Sequence, residues 1–333
     1  MLKEGEMGGF TLLVVVVLIL AAEFVNGWTD APNAIVTVVT TKAVKPKTAV
    51  AIAVVGNMIG AFYGRAVAQT IGTEIIKPEA INLVTLGAAL LAIVIWSTAA
   101  SCFGIPTSES HALLAGLAGA ALATAGPAAW LPAGWKKIFA GLVISVLFGA
   151  GGGFGLGWVL KTFSASWPKE KSNRVFQVLQ VLAAGGMAVS HGSNDGQKFI
   201  GIFTLSMVLA GFLPGFQVQP WIIILCSLVM GVGTSVGGWR IIEKVGVKMV
   251  KLEPDQGLAA QTAAAASILF ASSFGIPLST THTINTALMG AGATRGISAV
   301  NWGIVKELAC AWLFTFPACG LIGYLTAWLL IRF

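Results

Sequence analysis

With 333 residues, 56% of them hydrophobic and only 10% charged, and a mean hydropathy of +0.86, the chain lacks the polar surface to face water on all sides. Its net charge of +7 does not form a nucleic-acid groove, because the basic residues sit in short loops between apolar runs, a pattern that orients a membrane protein. A soluble fold and a nucleic-acid partner are thereby set aside, and a lipid bilayer is the implied surroundings.

In chain order, Lys3 precedes an apolar stretch from Phe10 to Ala22. Glu23 and the polar run after it do not resemble a small-residue cleavage site, so the stretch is read as a first membrane segment. Further apolar segments begin near Ala31, Thr48, Ala80, Ala112 and Ile138 and end before Lys161. A polar linker over residues 161–174 follows, and a second series begins near Val175, Gly196, Trp221, Leu258, Thr283 and Val300. Six and six predict a duplication, residues 1–160 and 175–333. The cysteines, Cys102, Cys226, Cys310 and Cys319, lie in hydrophobic runs without metal-ligand spacing and read as small apolar side chains. The 41 glycines suit helices packed backbone to backbone.

Two polar islands recur in both series. Asn26-Gly27-Trp28-Thr29-Asp30-Ala31-Pro32-Asn33 matches His191-Gly192-Ser193-Asn194-Asp195-Gly196-Gln197-Lys198, with Asp30 and Asp195 in register. Ser101 to His111, with Gly104-Ile105-Pro106 at its centre, matches Ser272 to His282, with Gly275-Ile276-Pro277. Asp195 lies 165 residues after Asp30, and His282 lies 171 after His111, so the spacing is nearly held.

Loop charge orients the halves. Lys42, Lys45 and Lys47 follow the second segment of the first half, whereas the matching loop, Leu213 to Pro220, is uncharged. After the third segments the bias reverses: Gly72 to Glu79 is poor in cations, and Trp239 to Gln256 carries Arg240, Lys244, Lys248 and Lys251. Equivalent loops then face opposite sides, which predicts an inverted repeat. If the first two segments of each half form one broken crossing and the fourth and fifth a re-entrant hairpin, each half crosses three times. The expected fold is an all-α polytopic membrane protein in the cell's inner (plasma) membrane, with the 161–174 linker in the cytoplasm and both termini outside. Lys136 and Lys137 fall on the outer side, against the rule, and are assigned to an interface.

The islands carry the candidate chemistry. An ionised carboxylate in hydrocarbon costs about 2.5–3.5 kcal/mol on insertion scales, so Asp30 and Asp195 must face a cavity, a cation or a partner, or else cap a helix. Asn26, Asn33, Asn194 and Gln197 surround them with amide oxygens, the hard ligands a small cation takes. In the second island, Pro ahead of hydroxyl residues reads as a helix start, predicting helices from Pro106 to about Gly126 and from Pro277 to about Gly292. Thr107, Ser108 and Ser110, with Ser279, Thr280 and Thr281, place hydroxyls at two helix N-termini. Such a place suits phosphate or a similar oxyanion, unless the hydroxyls only cap. His111 and His282 read as hydrogen-bonding braces of the hairpins, with a proton relay as the alternative. His191 matches Asn26 and reads as a neutral hydrogen-bonding group. Lys198 is either the partner of Asp195 or a snorkelling side chain. Glu23 and Glu109 have no acidic counterparts, and Glu109 needs a cation or proton to sit among anion-site hydroxyls. Ser108 and His111 mimic a nucleophile–base pair, but their duplication argues for a carrier over an enzyme or channel.

These repeated islands resemble the inorganic phosphate transporter (PiT) family over essentially the whole chain. The Gly-x-x-Asp-x-x-Asn core of the family signature is held as Gly27, Asp30 and Asn33; the second copy, Ser190 to Lys198, has Lys198 in place of the Asn. The resemblance implies an inverted-repeat, commonly dimeric carrier that needs no cofactor. It implies inorganic phosphate between the two hairpins and sodium, or in some members protons, near the aspartates. It further implies a polar position in the third segment of each half, Asn57 and Thr234 here, where animal members have glutamate. Sodium-coupled phosphate import is the expected function, with proton coupling or a sulfate cargo as the alternatives.

Overall fold

The computed structural model describes residues 4–332, so Lys3 lies outside the described residues. Among those residues the fold is all-α, and two isolated bridges, Ile76 with Trp130 and Val250 with Val300, stand in place of any sheet. The helices are α1 (Glu4–Thr29), α2 (Ala31–Thr40), α3 (Pro46–Ala61), α4 (Ala66–Thr73), α5 (Leu83–Cys102), α6 (Glu109–Ala125) and α7 (Pro132–Phe163), then α8 (Lys169–His191), α9 (Gln197–Leu209), α10 (Pro220–Val236), α11 (Trp239–Glu243), α12 (Pro254–Ser273), α13 (Thr280–Ala293) and α14 (Trp302–Arg332).

Both expected broken crossings are present. α1 and α2 form one 33-residue span, Gly8–Thr40, interrupted at Asp30. α8 and α9 form another, Lys169–Leu209, joined through a π-helical turn at Gly192–Gly196. The third segments are not simple spans: α4 bends 69° from α3, and α11 with the π turn Lys244–Met249 bends 61° from α10. By length and apolarity, and with each bent pair counted once, the described residues hold up to seven membrane-long units, one of which, α5, is a hairpin arm.

The hairpins are α5–α6 and α12–α13. Gly104 (φ 65°) and Gly275 (φ 66°) turn the chain through the left-handed region that disfavours side chains. After each Pro the backbone stays extended for two more residues. The helices therefore begin at Glu109 and Thr280, three residues later than the Pro positions predict. Ser108 and Ser279 occupy the N-caps, their Oγ atoms accepting from His111 N (3.3 Å) and His282 N (3.1 Å). Capping thus takes these two hydroxyls, as the plainer reading expects.

Packing divides into two apolar layers with a polar layer between. One layer gathers α1, α4, α5, α6 and α9 around Ile19, Ile71, Leu90, Leu113 and Phe203. The other gathers α2, α8, α12 and α13 around Ile35, Met187, Ile268 and Ile284. Hairpin α5–α6 lies in the first layer and α12–α13 in the second, and both end at the polar seam. The broken helices pass from one layer to the other at their aspartates. The halves also interlock: α7 packs along α12 and α13, and α14 packs along α5 and α6.

Close backbone approach holds the broken helices in place. A Cβ on Gly27 would stand 2.2 Å from Met230 O on α10, and one on Gly192 would stand 2.1 Å from Asn57 O on α3. Each break is thus pressed against the third segment of the other half. Ion pairs finish the ends. Lys137 reaches Glu74 at 2.7 Å, which gives the charge that violated the loop rule a local partner. Arg295 hydrogen-bonds Glu253, which holds that carboxyl below the usual carboxylate range.

Candidate functional site

Asp30 stands at the N-cap position of α2 but makes no capping bond, so the cap reading fails there. Its Oδ1 instead accepts from Asn33 Nδ2 at 3.0 Å and from the Thr281 hydroxyl of the second half. Asp195, inside the π turn, accepts from Thr280 Oγ1 at 2.5 Å on one oxygen and from Lys198 on the other. Asp195 and Lys198, three residues apart, fall on one face of the helix. Consecutive hydroxyls at the start of α13 therefore tie one aspartate from each half, and Asn33 Nδ2 also reaches Thr281 Oγ1 at 3.4 Å.

Lys198 is the partner of Asp195, not a snorkelling residue: it is 1% exposed. Its ammonium also donates to Ser110 Oγ and, at 2.9 Å, to Leu278 O. Ser110 Oγ donates to that same carbonyl at 3.0 Å, so the tips of the two hairpins touch. One atom each from Asp30, His191 and Asp195 lies within 4.8 Å of the others, a donor set of a size that could hold a cation. His191 Nε2 is 3.3 Å from Asp195, and its Nδ1 faces Asn57 Oδ1 at 3.0 Å. Asn57 in turn donates to Thr234 Oγ1 at 3.3 Å, so the two third-segment positions meet behind His191.

The remaining predicted ligands point elsewhere. Asn26 donates to Glu23 at 3.3 Å, Asn194 to Ser272 Oγ at 2.8 Å, and Gln197 to Ala61 O at 2.7 Å. Their amide oxygens, like that of Asn33, are buried and without a hydrogen-bond partner. Buried acceptors without donors are costly, and either a water or a cation relieves them. Thr107 is buried in the first hairpin turn.

Glu109 does not face the hydroxyl pair. Thr29 Oγ1 donates to it at 2.6 Å and Ser97 Oγ donates to its other oxygen, so it straps the start of α6 to the end of α1 and to α5. The histidine braces are a correction. His111 and His282 meet edge to face, ring centroids 4.5 Å apart, and pack on Phe316 and Trp312 of α14; His282 has neither ring nitrogen hydrogen-bonded and His111 lacks a partner on Nδ1. They brace the hairpins by contact rather than by hydrogen bonds. Ser108 Oγ meets the backbone of His111 and not its ring, so no nucleophile–base pair forms.

Ser97, Ser272, Phe316, Trp312 and the Leu278 carbonyl belong to this site and escaped the sequence reading. Ser272 stood in the repeated island, and Ser97 lies one helical turn before Ser101 on α5; the two aromatics carry no local signal. Among the described residues, four buried carboxylates, Glu23, Asp30, Glu109 and Asp195, share the seam with one buried ammonium, Lys198. A low-dielectric layer with that balance draws cations.

A model of the Phosphate transporter family matches residues 26–323. A probable low-affinity inorganic phosphate transporter of Bacillus subtilis (strain 168) is 37% identical over 321 residues, covering 96% of both chains. A protein of the same description from Rhizobium meliloti (strain 1021) is 39% identical over 324 residues, covering 95% of this chain and 96% of its own. A solved structure described as the sodium-dependent phosphate transporter superposes with a TM-score of 0.86 over 97% of this chain and 99% of its own; at 22% identity that likeness establishes the fold.

Proposed function

The chain belongs to the phosphate transporter family, and on that premise we propose that it imports inorganic phosphate together with sodium. Phosphate is taken between the hairpin starts, by the hydroxyls of Ser110, Thr280 and Thr281 and the first-turn N–H groups of α6 and α13. Sodium binds in the carboxylate cluster of Asp30 and Asp195 with the Asn33 amide oxygen beside it, so neither ion enters the dry seam alone. The observation that carries this reading is the tie between Asp30, Asp195 and the adjacent Thr281 and Thr280. Hydroxyls that donate to the carboxylates would turn to phosphate when sodium takes the carboxylate oxygens. That exchange couples the two ions.

The proposal includes the inverted arrangement of residues 1–160 and 175–333, the cytoplasmic 161–174 linker, outward termini, an inner-membrane location and a homodimer. Support for the inversion is the placing of the two hairpins in opposite apolar layers, and the reciprocal contacts of Gly27 and Gly192. Access then alternates as the hairpin tips part on one face of the seam or the other.

The test is labelled phosphate uptake into proteoliposomes under an imposed sodium or proton gradient, for the wild type and Asp30→Asn. Sodium should drive the wild type, and Asp30→Asn should lose sodium activation while still binding phosphate. Sodium dependence unchanged in the variant sinks the aspartate as a cation ligand. Uptake driven only by protons sinks the choice of sodium.

A further inference from the structure

Asp30 and Asp195 hold matched positions, but three residues later the halves differ: Asn33 in the first, Lys198 in the second. Asn33 offers its aspartate a neutral amide at 3.0 Å. Lys198 sets an ammonium against the matched carboxylate and completes its shell with a hydroxyl, Ser110, and a backbone carbonyl, Leu278. Carboxylate, hydroxyl and carbonyl oxygen form the ligand set that a bare hard cation takes. The side chain is among the largest fully buried ones, so this is a built position and not a surface lysine that has folded inward. Asp30 has no such partner: its hydrogen bonds come from Asn33 and Thr281, both neutral.

We infer that the Lys198 ammonium is a tethered cation, filling at Asp195 the place that a mobile coupling ion would otherwise take. It carries the same single charge as sodium and meets the same kind of oxygens, but it is bound to α9 and cannot be released on the far side. The mobile cation is then drawn at the Asp30 side of the seam, and fewer ions cross per phosphate than two equivalent aspartates would admit. This rests on the reading that mobile cations bind at the aspartates. It adds which half supplies its own charge.

The test compares wild type with Lys198→Asn, which copies Asn33, and with Lys198→Arg, which keeps the charge. Purified full-length protein in proteoliposomes, held at zero membrane potential, is given a fixed tenfold sodium gradient, and the final phosphate accumulation ratio is read. Each additional sodium moving down that gradient raises the attainable ratio about tenfold. Lys198→Asn should therefore end about tenfold above wild type, and Lys198→Arg should match wild type. Equal ratios for wild type and Lys198→Asn overturn the inference. If Lys198→Asn purifies but does not transport, equilibrium binding of radioactive sodium to the detergent-solubilised protein replaces the ratio; one more site than wild type supports the inference, and an equal number overturns it. Lys198→Gln takes the place of the Asn variant if that one does not purify. Should protons and not sodium drive the wild type, the sodium reading falls, and the same ratio under a proton gradient judges the tethered cation separately.

Discussion

At the scale of single residues, Thr281 has one hydroxyl that the Asp30 carboxylate and the proposed anion both draw on. Its hydroxyl donates to Asp30, and it stands in the first turn of α13, where an oxyanion would seek donors. A hydrogen bond to a charged partner contributes about 1.5–3 kcal/mol, and about 1.4 kcal/mol is a factor of ten in binding. Thr281→Val should therefore raise the phosphate concentration for half-maximal uptake about tenfold or more, and Thr281→Ser should restore it. The measurement is uptake rate against phosphate concentration at saturating sodium; a half-saturation unchanged in Thr281→Val removes the hydroxyl from the anion site. The aspartates were legible from sequence because a buried charge in an apolar run is expensive and here occurs twice in register. The histidine contacts were not, because Phe316 and Trp312 lie far along the chain and no local pattern reports a ring packed on α14.

At the scale of elements, repetition made the breaks and hairpins readable, while their exact form depended on tertiary contact. Both Gly-Ile-Pro turns predict a helix start, yet the start slipped to Glu109 and Thr280 because Ser108 and Ser279 cap the later turn. The π turn around Asp195 has no signature beyond the polar island, since a turn one residue wider depends on what it packs against. Here that neighbour is α3. Gly192→Ala would push a Cβ to 2.1 Å from Asn57 O, and overpacking of this kind costs about 1–3 kcal/mol. Gly155→Ala, in α7 with nothing within 4 Å, should instead stabilise by about 0.5–1 kcal/mol through helix propensity. Thermal unfolding in detergent should thus move in opposite directions for the two variants. A Gly192→Ala protein as stable as wild type would mean the break is free to move away from α3.

At the scale of the whole molecule, order along the chain predicted two halves but not that they interlock, since hydropathy reports which residues are buried and not against which helix. α7, the last helix of the first half, lies against the hairpin of the second: Cβ atoms on Gly149 and Gly153 would stand 2.1 Å from Thr286 Oγ1 and 2.2 Å from Ala287 O on α13. Contact this close leaves no side-chain layer to slide within, so α7, α12 and α13 should move as one body. The hairpin tips, joined by the Ser110 to Leu278 bond and by Lys198, are where motion must occur if phosphate is to enter. Two engineered disulfides separate these parts. Gly152 and Ala263 face each other across α7 and α12, a Cβ on the first lying 3.1 Å from that of the second, close enough to bridge after a shift of a few tenths of an ångström. With Cys102 and Cys310, the exposed native thiols, replaced by serine, oxidation of Gly152→Cys with Ala263→Cys should leave phosphate uptake within about twofold of the reduced protein. Oxidation of Ser110→Cys with Leu278→Cys should reduce uptake about tenfold or more relative to the same protein after reduction. Where Ser110→Cys with Leu278→Cys is inactive even when reduced, sodium-dependent phosphate binding to the detergent-solubilised pair, oxidised against reduced, gives the same comparison. Loss of transport in the Gly152–Ala263 pair would show α7 sliding against the hairpin, and the rigid body would then have to be drawn elsewhere.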